Sequence, residues 1–295
     1  MQIKRVIVTG GNGLLGRYIS AQRKDVVSLS RADLDITDMS AVSKAIFKGA
    51  ACVIHCAALT DVDYCESHPE DAENVNAFGT KNIAEACRAA GAKLIYLSTD
   101  FVFDGAKTTP LTSKHTGVYK EEDEPNPISI YSKTKLKGEE FAKITDKWVV
   151  VRTSVVYGNE QGKRHQAKPK KFVNWAIGEL NNGHKIRAIH DEFNSPTFAG
   201  DLAAALLKLA DSDFGGIVHC AGSERISRYD FALKIADVFG KDKSLIEKVK
   251  SEDLKRLARR PKDSSLDISK AKEMGIQMSD ASHGLEKMRE ELMKK

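Results

Sequence analysis

Tyr131 and Lys135 are the residues of this chain whose types and spacing most directly suggest chemistry. They are four positions apart, so on a helix they lie on one face. A tyrosine hydroxyl normally keeps its proton up to a pH of about 10, and a neighbouring ammonium lowers that pKa. Such a tyrosine can exchange a proton with a substrate oxygen near neutral pH. The same spacing also arises by chance, so the elements that position the pair decide its interpretation.

A glycine-rich turn near the N-terminus predicts a second part of the site. It follows a β-branched run at 3–8 and precedes a helical pattern. Glycine lets the chain turn sharply and lets backbone N–H groups approach a phosphate, which the N-terminus of the next helix also favours. This context favours dinucleotide binding over a plain glycine turn. The residues expected to contact the nucleotide are Gly10, Asn12, Gly13, Leu14 and Leu15.

The end of the next predicted strand, 25–29, bears on which nucleotide is bound. Folds that prefer NAD usually carry an acid there, to bind the ribose 2′-hydroxyl. This chain has Ser30 and Arg31 instead. An arginine at this place can pair with a 2′-phosphate, which favours NADP(H) and leaves NAD(H) open. The alternative for Arg31 is a solvated side chain.

Small and polar residues follow two further predicted strands. Cys56, Ala57 and Ala58 come directly after the apolar strand 51–55. Thr99 follows the strand 93–97. Because the carboxyl ends of parallel strands share one edge of a sheet, we expect a ligand to approach these residues. The alternative for Thr99 is an ordinary turn residue at a strand end.

The alternation of strand and helix patterns predicts the fold. Repeated βα units favour an α/β protein with a Rossmann-type, doubly wound parallel sheet. The last 70 residues are mostly helical patterns and predict a smaller C-terminal substrate lobe. Strands are predicted at 3–8, 25–29, 51–55, 93–97, 148–152, 185–189 and 216–220. Helices are predicted at 39–48, 69–90, 199–210, 227–239, 251–258, 269–274 and 280–293.

These patterns divide the chain into two units. Residues 1–155 form the predicted dinucleotide-binding domain, to which 183–222 add the last strands and a helix. Residues 156–182 and 223–295 form the predicted substrate-binding lobe. Two long polar segments, 105–127 and 159–171, interrupt the pattern. A loop as long as 105–127 is usually functional or mobile. The basic segment 159–171 is either a solvated loop or a lid over an anionic substrate.

The composition narrows the classes of protein. The chain has 295 residues, 41% of them hydrophobic and 29% charged, which suits a packed core. It lacks an apolar run near the length of about 20 residues that spans a bilayer, and no signal segment precedes the first strand, so we expect a cytoplasmic protein without a membrane partner. Five cysteines without close metal-type pairs indicate reduced thiols and no metal site. The net charge is +5, but acidic and basic residues are interspersed along the chain, which argues against a nucleic-acid partner.

The glycine turn, Thr99 and the Tyr131–Lys135 pair together resemble the extended short-chain dehydrogenase/reductase superfamily. The resemblance covers nearly the whole chain. Further motifs are similar to the dTDP-4-dehydrorhamnose reductase branch. They are the segments 34–38, 98–105, 152–158, 195–197 with 201–203, and 258–261 followed by 265–267.

This resemblance implies a reaction. A reduced nicotinamide, NADPH or NADH, would deliver hydride to the C4 keto group of dTDP-4-dehydrorhamnose, giving dTDP-rhamnose. Tyr131 would protonate the oxygen, Thr99 would hydrogen-bond it, and Lys135 would hold the nicotinamide ribose and lower the Tyr131 pKa. Further implied cofactor contacts are Asp35, Ile36, Cys56, Ala57, Ala58 and Asn76, and implied substrate contacts are Asp100 and Arg260.

The resemblance leaves alternatives open. Asn76 either supports Lys135 through a water or packs its helix, and Arg260 either meets the diphosphate or forms a surface ion pair. The branch commonly has Tyr at Phe101 and Trp at Val155, which puts the sugar in question. A homodimer is compatible with the resemblance. The regulatory subunit of methionine adenosyltransferase belongs to the same branch, so a cofactor-binding regulatory protein is one alternative. A sugar-nucleotide epimerase or dehydratase is another.

Overall fold

The computed structural model of the protein describes residues 5–47, 49–107, 118–160 and 171–294. Its strands are β1 (Arg5–Thr9), β2 (Val27–Leu29), β3 (Ala50–His55), β4 (Lys93–Thr99), β5 (Trp148–Thr153), β6 (Val156–Tyr157), β7 (Ile186–Ile189), β8 (Phe193–Asn194), β9 (Thr197–Phe198), β10 (Gly216–His219), β11 (Ile226–Ser227) and β12 (Ile246–Val249).

Its α-helices are α1 (Leu14–Gln22), α2 (Met39–Ala45), α3 (Val62–Ser67), α4 (Pro69–Ala72), α5 (Gly79–Ala90), α6 (Ile130–Ala142), α7 (Phe172–Asn181), α8 (Ala199–Ala210), α9 (Arg228–Phe239), α10 (Ser269–Glu273) and α11 (Ala281–Met293). A π-helix, Glu73–Phe78, joins α4 to α5, and 3₁₀ turns occupy Asp100–Val102, Lys243–Leu245 and Ser251–Asp253.

The central sheet has six strands in the order β10-β5-β4-β3-β1-β2. All its neighbouring pairs are parallel, with Val8 beside Ile54 and Ser98 beside Arg152. The predicted parallel α/β sheet is therefore confirmed. Strand order reverses between β1 and β3, and open α/β sheets bind ligands at the carboxyl ends of strands beside such a reversal.

Both faces of the sheet are covered, because side chains alternate along each strand. Val6 and Val8 on β1 pack with α1 and α8 on one face. Ile7 packs with α2 and α5 on the other face. Apolar residues on both faces are typical of a doubly wound sheet. A further buried cluster, which includes Tyr157, Phe231 and Leu285, lies among the helices that follow β5.

Three predicted elements differ from the structure. The strand predicted at 185–189 does not extend the central sheet, because β7 pairs with β12 in a separate two-stranded sheet. The helix predicted at 251–258 is wrong: one 3₁₀ turn is followed by non-helical chain. The single helix predicted at 69–90 is interrupted by the π-helix. Residues 3 and 4 of the first predicted strand lie outside the described residues.

Among the described residues, no helix combines the length and apolar character that crossing a membrane requires. The same part of the chain holds no group of three or more His, Cys, Asp or Glu side chains placed to bind a metal ion.

Candidate functional site

The glycine turn closes tightly onto the sheet. Gly10 has a φ of +71°, and a Cβ there would lie 2.8 Å from the backbone N of Ala57. A Cβ on Gly16 would lie 2.7 Å from the carbonyl oxygen of Gly10. Gly13 differs, since a Cβ there would meet only that same carbonyl oxygen, at 3.0 Å. The outer side of Gly13 is therefore open to a ligand.

Helix α1 begins directly behind this open side. Gly13 is its N-cap residue and supplies no side-chain cap. Asn12 is exposed, whereas the side chains of Leu14 and Leu15 are buried. The first N–H groups of a helix lack intrahelical partners and favour an anion. The predicted contacts by Leu14 and Leu15 would accordingly be made through the backbone.

Ser30 and Arg31 lie at the carboxyl end of β2, beside the glycine turn. The Ser30 hydroxyl donates to the Asp33 carboxylate at 2.5 Å and the Arg31 side chain is exposed. Asp35 accepts hydrogen bonds from the N–H and hydroxyl of Thr37, which lower its pKa. Ile36 is buried against Gly79: a Cβ added at Gly79 would lie 2.8 Å from the Ile36 side chain.

The side chain of Asn76 links the segment after β3 to α6, the helix that bears Tyr131. The Asn76 side chain accepts from the Leu59 N–H at 2.8 Å and donates to the Leu59 carbonyl at 3.0 Å. Its amide also donates to the Thr134 hydroxyl at 3.2 Å. Asn76 lies in the π-helix, a conformation that often marks functional sites. Of the two roles considered for Asn76, the described contacts support packing.

A buried polar chain runs beneath the glycine turn. The hydroxyl of Thr9 lies 2.6 Å from Nδ1 of His55, and Nε2 of His55 lies 3.2 Å from the hydroxyl of Thr80. Thr80 in turn donates to the Asn76 carbonyl at 2.7 Å. Burial, together with repulsion from Lys135, lowers the pKa of His55 to about 3. Sequence reasoning missed His55, although a histidine inside an apolar strand was the available signal.

Tyr131, Lys135 and Thr99 come together at the carboxyl end of β4. Ser129 caps α6 in a reciprocal pair with Ser132, which places Tyr131 in the first turn and Lys135 one turn later. Tyr131 is nearly buried and its hydroxyl is close enough to the Thr99 side chain for Thr99 to influence its pKa. The structure therefore brings two of the three predicted catalytic residues together.

The expected lowering of the Tyr131 pKa is wrong for this structure. Burial raises the pKa of Tyr131 well above its usual value, and the Thr99 hydrogen bond opposes that rise. Desolvation of the phenolate outweighs the stabilisation of the charged form. Tyr131 therefore keeps its proton throughout the neutral range.

Lys135 is buried between the sheet and α6. Its ammonium donates to the Leu97 carbonyl at 2.7 Å and lies 4.2 Å from the ring centroid of Tyr96. Burial lowers the pKa of Lys135 to about 7, while the Glu139 carboxylate opposes that shift. Cys56, at the end of β3, is close enough to interact with the ammonium, and burial raises the pKa of the Cys56 thiol to about 12.

Asp100 is buried beside Thr99, at 3% exposure. Its carboxylate accepts hydrogen bonds from Thr99 at 3.0 Å, Ser154 at 2.7 Å and Ser264 at 2.5 Å. Burial raises the pKa of Asp100 to about 6, against the effect of these three donors. The carboxylate is thus directed into a hydroxyl cluster, which does not favour the predicted substrate contact.

Arg260 precedes Ser264, a member of this cluster, by four residues. It donates to the Asp63 carboxylate at 2.7 Å and to the Ala258 carbonyl at 2.6 Å. The ion pair considered for Arg260 is therefore present, with 14% of the arginine side chain exposed. Arg260 also lines a cavity of about 410 Å³. Other charged residues that line this cavity are Asp104, Glu192, Glu252, Arg256, Arg259 and Lys262.

Two features near the site escaped sequence reasoning. Arg152 and Glu139 form a fully buried ion pair at 2.8 Å, and Ser98 donates to the same carboxylate at 2.5 Å. Val155 has a φ of +41°, a conformation that is rare for a β-branched residue. Neither a buried partner nor a left-handed valine leaves a local signal in the sequence.

Parts of the two long polar segments lie outside the described residues. These parts are 108–117 and 161–170, which include Lys163, Arg164, Lys168 and Lys170. The interpretation of 159–171 as a lid or a solvated loop stays a prediction.

Comparison with known proteins shows which family the chain resembles. The family described as the RmlD substrate binding domain matches residues 4–294. A dTDP-4-dehydrorhamnose reductase from Mycolicibacterium smegmatis is 35% identical over 281 residues, which are 92% of this chain and 81% of the relative. The methionine adenosyltransferase 2 subunit beta of Bos taurus is 32% identical over 293 residues, 92% of this chain and 83% of the relative.

A solved structure shows the same architecture. The dTDP-4-dehydrorhamnose reductase of Bacillus anthracis, in complex with NADP, superposes with a TM-score of 0.87 at 32% identity. The match covers 98% of this chain and 99% of that chain. The fold and site thus define an extended short-chain dehydrogenase/reductase. Within that class, the chain belongs to the RmlD substrate-binding-domain family.

Proposed function

We propose that the protein is an NADP(H)-dependent reductase that converts the C4 keto group of dTDP-4-dehydrorhamnose to the alcohol of dTDP-rhamnose. The observation that carries the proposal is the meeting of Thr99, Tyr131 and Lys135 at the sheet edge that holds the glycine turn. The reductases from M. smegmatis and B. anthracis support it by their similarity over most of the chain.

The residues present fit a dinucleotide. Gly13 leaves open space in front of the N-terminus of α1, where a branched side chain would stand in the way of a pyrophosphate. Arg31 is exposed at the end of β2, where a guanidinium can pair with a 2′-phosphate. Lys135 and Cys56 lie at the other end of the same edge and would face the nicotinamide ribose. When bound, the reduced nicotinamide supplies the hydride.

Tyr131 is the proton donor in this proposal. Because burial raises its pKa, the hydroxyl is protonated at neutral pH and can act as a general acid toward the developing alkoxide. Thr99 would orient the same oxygen and stabilise its charge. Lys135, anchored to the Leu97 carbonyl, would hold the ribose and place positive charge near the phenolate left behind.

The substrate would lie between the sheet edge and the later helices. Three arginines line the 410 Å³ cavity: Arg256, Arg259 and Arg260. They suit a diphosphate, because one guanidinium group can donate to two phosphate oxygens at once. The substrate-binding lobe of residues 156–182 and 223–295, the homodimer and the cytoplasmic location are part of this proposal and stay predictions.

A regulatory subunit is the second candidate. The bovine relative named methionine adenosyltransferase 2 subunit beta is similar over 92% of this chain, and Phe101 and Val155 depart from the reductase pattern. This candidate binds NADP(H) and a protein partner but turns nothing over.

A coupled assay separates the two candidates. The protein is supplied with dTDP-4-keto-6-deoxy sugars and NADPH, and the loss of nicotinamide absorbance is followed. The reductase consumes NADPH only when the keto-sugar is present. Binding of NADPH in calorimetry without any keto-sugar-dependent consumption would support the regulatory candidate instead.

A further inference from the structure

Asp100 joins three separate parts of the chain. Thr99, from the end of β4, donates to its Oδ1 at 3.0 Å. Ser154, which follows β5, donates to Oδ2 at 2.7 Å, and Ser264, from the C-terminal part of the chain, donates to the same oxygen at 2.5 Å. Such a set of donors fixes the carboxylate in one orientation, with Oδ1 toward Thr99.

The Thr99 hydroxyl has a single proton to give. In the structure it donates to Asp100 and accepts from the Phe101 N–H at 3.2 Å, and it lies near the Tyr131 hydroxyl. While its proton points at the carboxylate, Thr99 offers only lone pairs toward Tyr131 and the place of the reacting oxygen. The proposed reaction requires the opposite direction, in which Thr99 donates to that oxygen.

We propose that Asp100 is a positioning residue whose protonation sets the direction of the Thr99 hydroxyl. This inference rests on the proposed reductase function. With a proton on Oδ1, Asp100 donates to Thr99, and the Thr99 proton turns toward the reacting oxygen. Without that proton, Thr99 donates to Asp100 and cannot stabilise the alkoxide. One proton joins or leaves Asp100, and no bond to the substrate forms or breaks.

The surroundings place this titration in an accessible range. Burial raises the pKa of Asp100 to about 6, against the three hydroxyl donors. Among the residues that the structure describes, the charged and titratable side chains that interact with it are Tyr131 on α6 and Arg228 at the start of α9. The fraction of protonated Asp100 falls as pH rises through its pKa. The reductase rate is therefore expected to fall in the same direction.

Two substitutions test the proposal through the pH dependence of kcat, which reports pKa values of the substrate complex. In Asp100→Asn the amide N–H donates to Thr99 while the amide oxygen accepts from both serines, which imitates the protonated acid. Ser264→Ala removes a donor that stabilises the carboxylate, so the apparent pKa should rise. Ser212→Ala, a hydroxyl near the opposite end of the sheet that contacts the Leu209 carbonyl, is the matched control.

We expect kcat of the parent to fall as pH rises through about 6, the pKa of Asp100. In Asp100→Asn, kcat should stay level through that range, within about threefold of the parent's low-pH plateau, and fall only at the higher pH where Lys135, with a pKa of about 7, loses its proton. Ser264→Ala should move the fall to higher pH, and Ser212→Ala should leave it in place. A fall of Asp100→Asn by 100-fold or more at every pH, in a folded protein, overturns the inference. An unmoved profile in Ser264→Ala overturns it as well, even if Asp100→Asn does not fold.

A measurement without turnover separates this inference from the proposed function. Carbon-13 labelling of aspartate carboxyls gives a titration curve for Asp100 in the parent chain, assigned by its loss in Asp100→Asn. An upward shift of that curve in Ser264→Ala is the expected result, and no shift overturns the inference. A parent that reduces no keto-sugar overturns the proposed function and this inference with it. If the parent reduces a keto-sugar but the Asp100 titration does not shift in Ser264→Ala, this inference alone is overturned.

Discussion

The hydroxyl of Thr9 and Nδ1 of His55 lie 2.6 Å apart, at the buried ends of the two strands between which the strand order reverses. This contact supports the glycine turn from below, because Thr9 directly precedes Gly10. The imidazole is held neutral, since burial lowers its pKa to about 3. An unfolded chain binds a proton at this histidine near pH 6.5, whereas the folded chain does not.

His55 should therefore make the fold sensitive to acid. Because the unfolded state binds more protons between about pH 6.5 and 3, the contribution of His55 is complete above that range and is lost as pH falls, by up to about 1.4 kcal/mol per pH unit. The free energy of unfolding, measured by urea titration from pH 7 to 4, should depend less on pH in His55→Gln. His184→Gln, an exposed histidine on the surface, should keep the slope of the parent. Equal slopes in all three proteins would contradict the prediction.

Gly13→Val should abolish nucleotide binding while the fold survives. The φ of Gly13 is −68°, which valine can adopt, and its Cβ would meet only the Gly10 carbonyl oxygen. The branched side chain would instead fill the approach to the helix N-terminus. Calorimetry with NADPH measures the loss. Gly215→Val is the control, because its Cβ would lie 3.6 Å from the Trp148 carbonyl oxygen, at the other end of the sheet. Full affinity in Gly13→Val would remove the phosphate-binding interpretation.

Arg31→Ala should discriminate between the two nicotinamide cofactors. If the exposed guanidinium pairs with the 2′-phosphate, the affinity for NADPH should fall by about 1–3 kcal/mol and that for NADH should change little. Arg5→Ala removes another exposed arginine, at the amino end of β1, and should change the affinity for neither cofactor. Equal losses for both cofactors would show that Arg31 does not read the 2′-phosphate.

Tyr131→Phe should remove the chemical step and leave cofactor binding intact. The substitution deletes only the hydroxyl that lies near Thr99, while the ring keeps its packing against Phe101. General acid catalysis is typically worth about 10²–10⁴-fold, and kcat should fall by that factor. Lys135→Met should instead lose both rate and NADPH affinity. Tyr229→Phe, on α9, serves as the control. Reduction by Tyr131→Phe at the parent rate would make Tyr131 a structural residue.

Glu139→Ala should destabilise the fold by about 3–5 kcal/mol, the usual cost of leaving one member of a buried ion pair without its partner. Arg152 and Glu139 are each only 2% exposed. Lys243→Ala breaks an exposed ion pair with Asp237 and should barely change stability. Urea titration of both variants measures the difference. A small effect of Glu139→Ala would mean that water or another cation replaces the lost charge partner.

The parts of the fold that were predictable have local signals. The β-branched run of β1 and the glycines after it identify a strand, a turn and a helix within 20 residues. The spacing of Tyr131 and Lys135 is visible within one short segment, and the glycine turn and the predicted strands around it give that spacing its meaning. Partners across the chain leave no such signal. The segment 186–189 has the pattern of a strand, but nothing in it shows that β12 is its neighbour.

The error at 251–258 has a tertiary cause. The segment has a helical composition, yet Asp63 accepts a hydrogen bond from the Ala258 N–H, and Arg256 pairs with Glu192. These contacts hold the chain in an irregular, non-helical course after the 3₁₀ turn. The direction of the Asp100 carboxylate was equally hidden, because Ser154 and Ser264 are distant from it in sequence.

The left-handed Val155 carries a consequence for the evolution of this site. A β-branched residue at a φ of +41° costs on the order of 1–2 kcal/mol, which glycine or asparagine would relieve. If random substitutions of the chain are selected only for thermal stability, Val155 should therefore be replaced readily. Selection for turnover acts on the same turn, because Ser154, its neighbour, holds Asp100. A substitution that relieves this strain would therefore also alter the turn through which Ser154 holds Asp100.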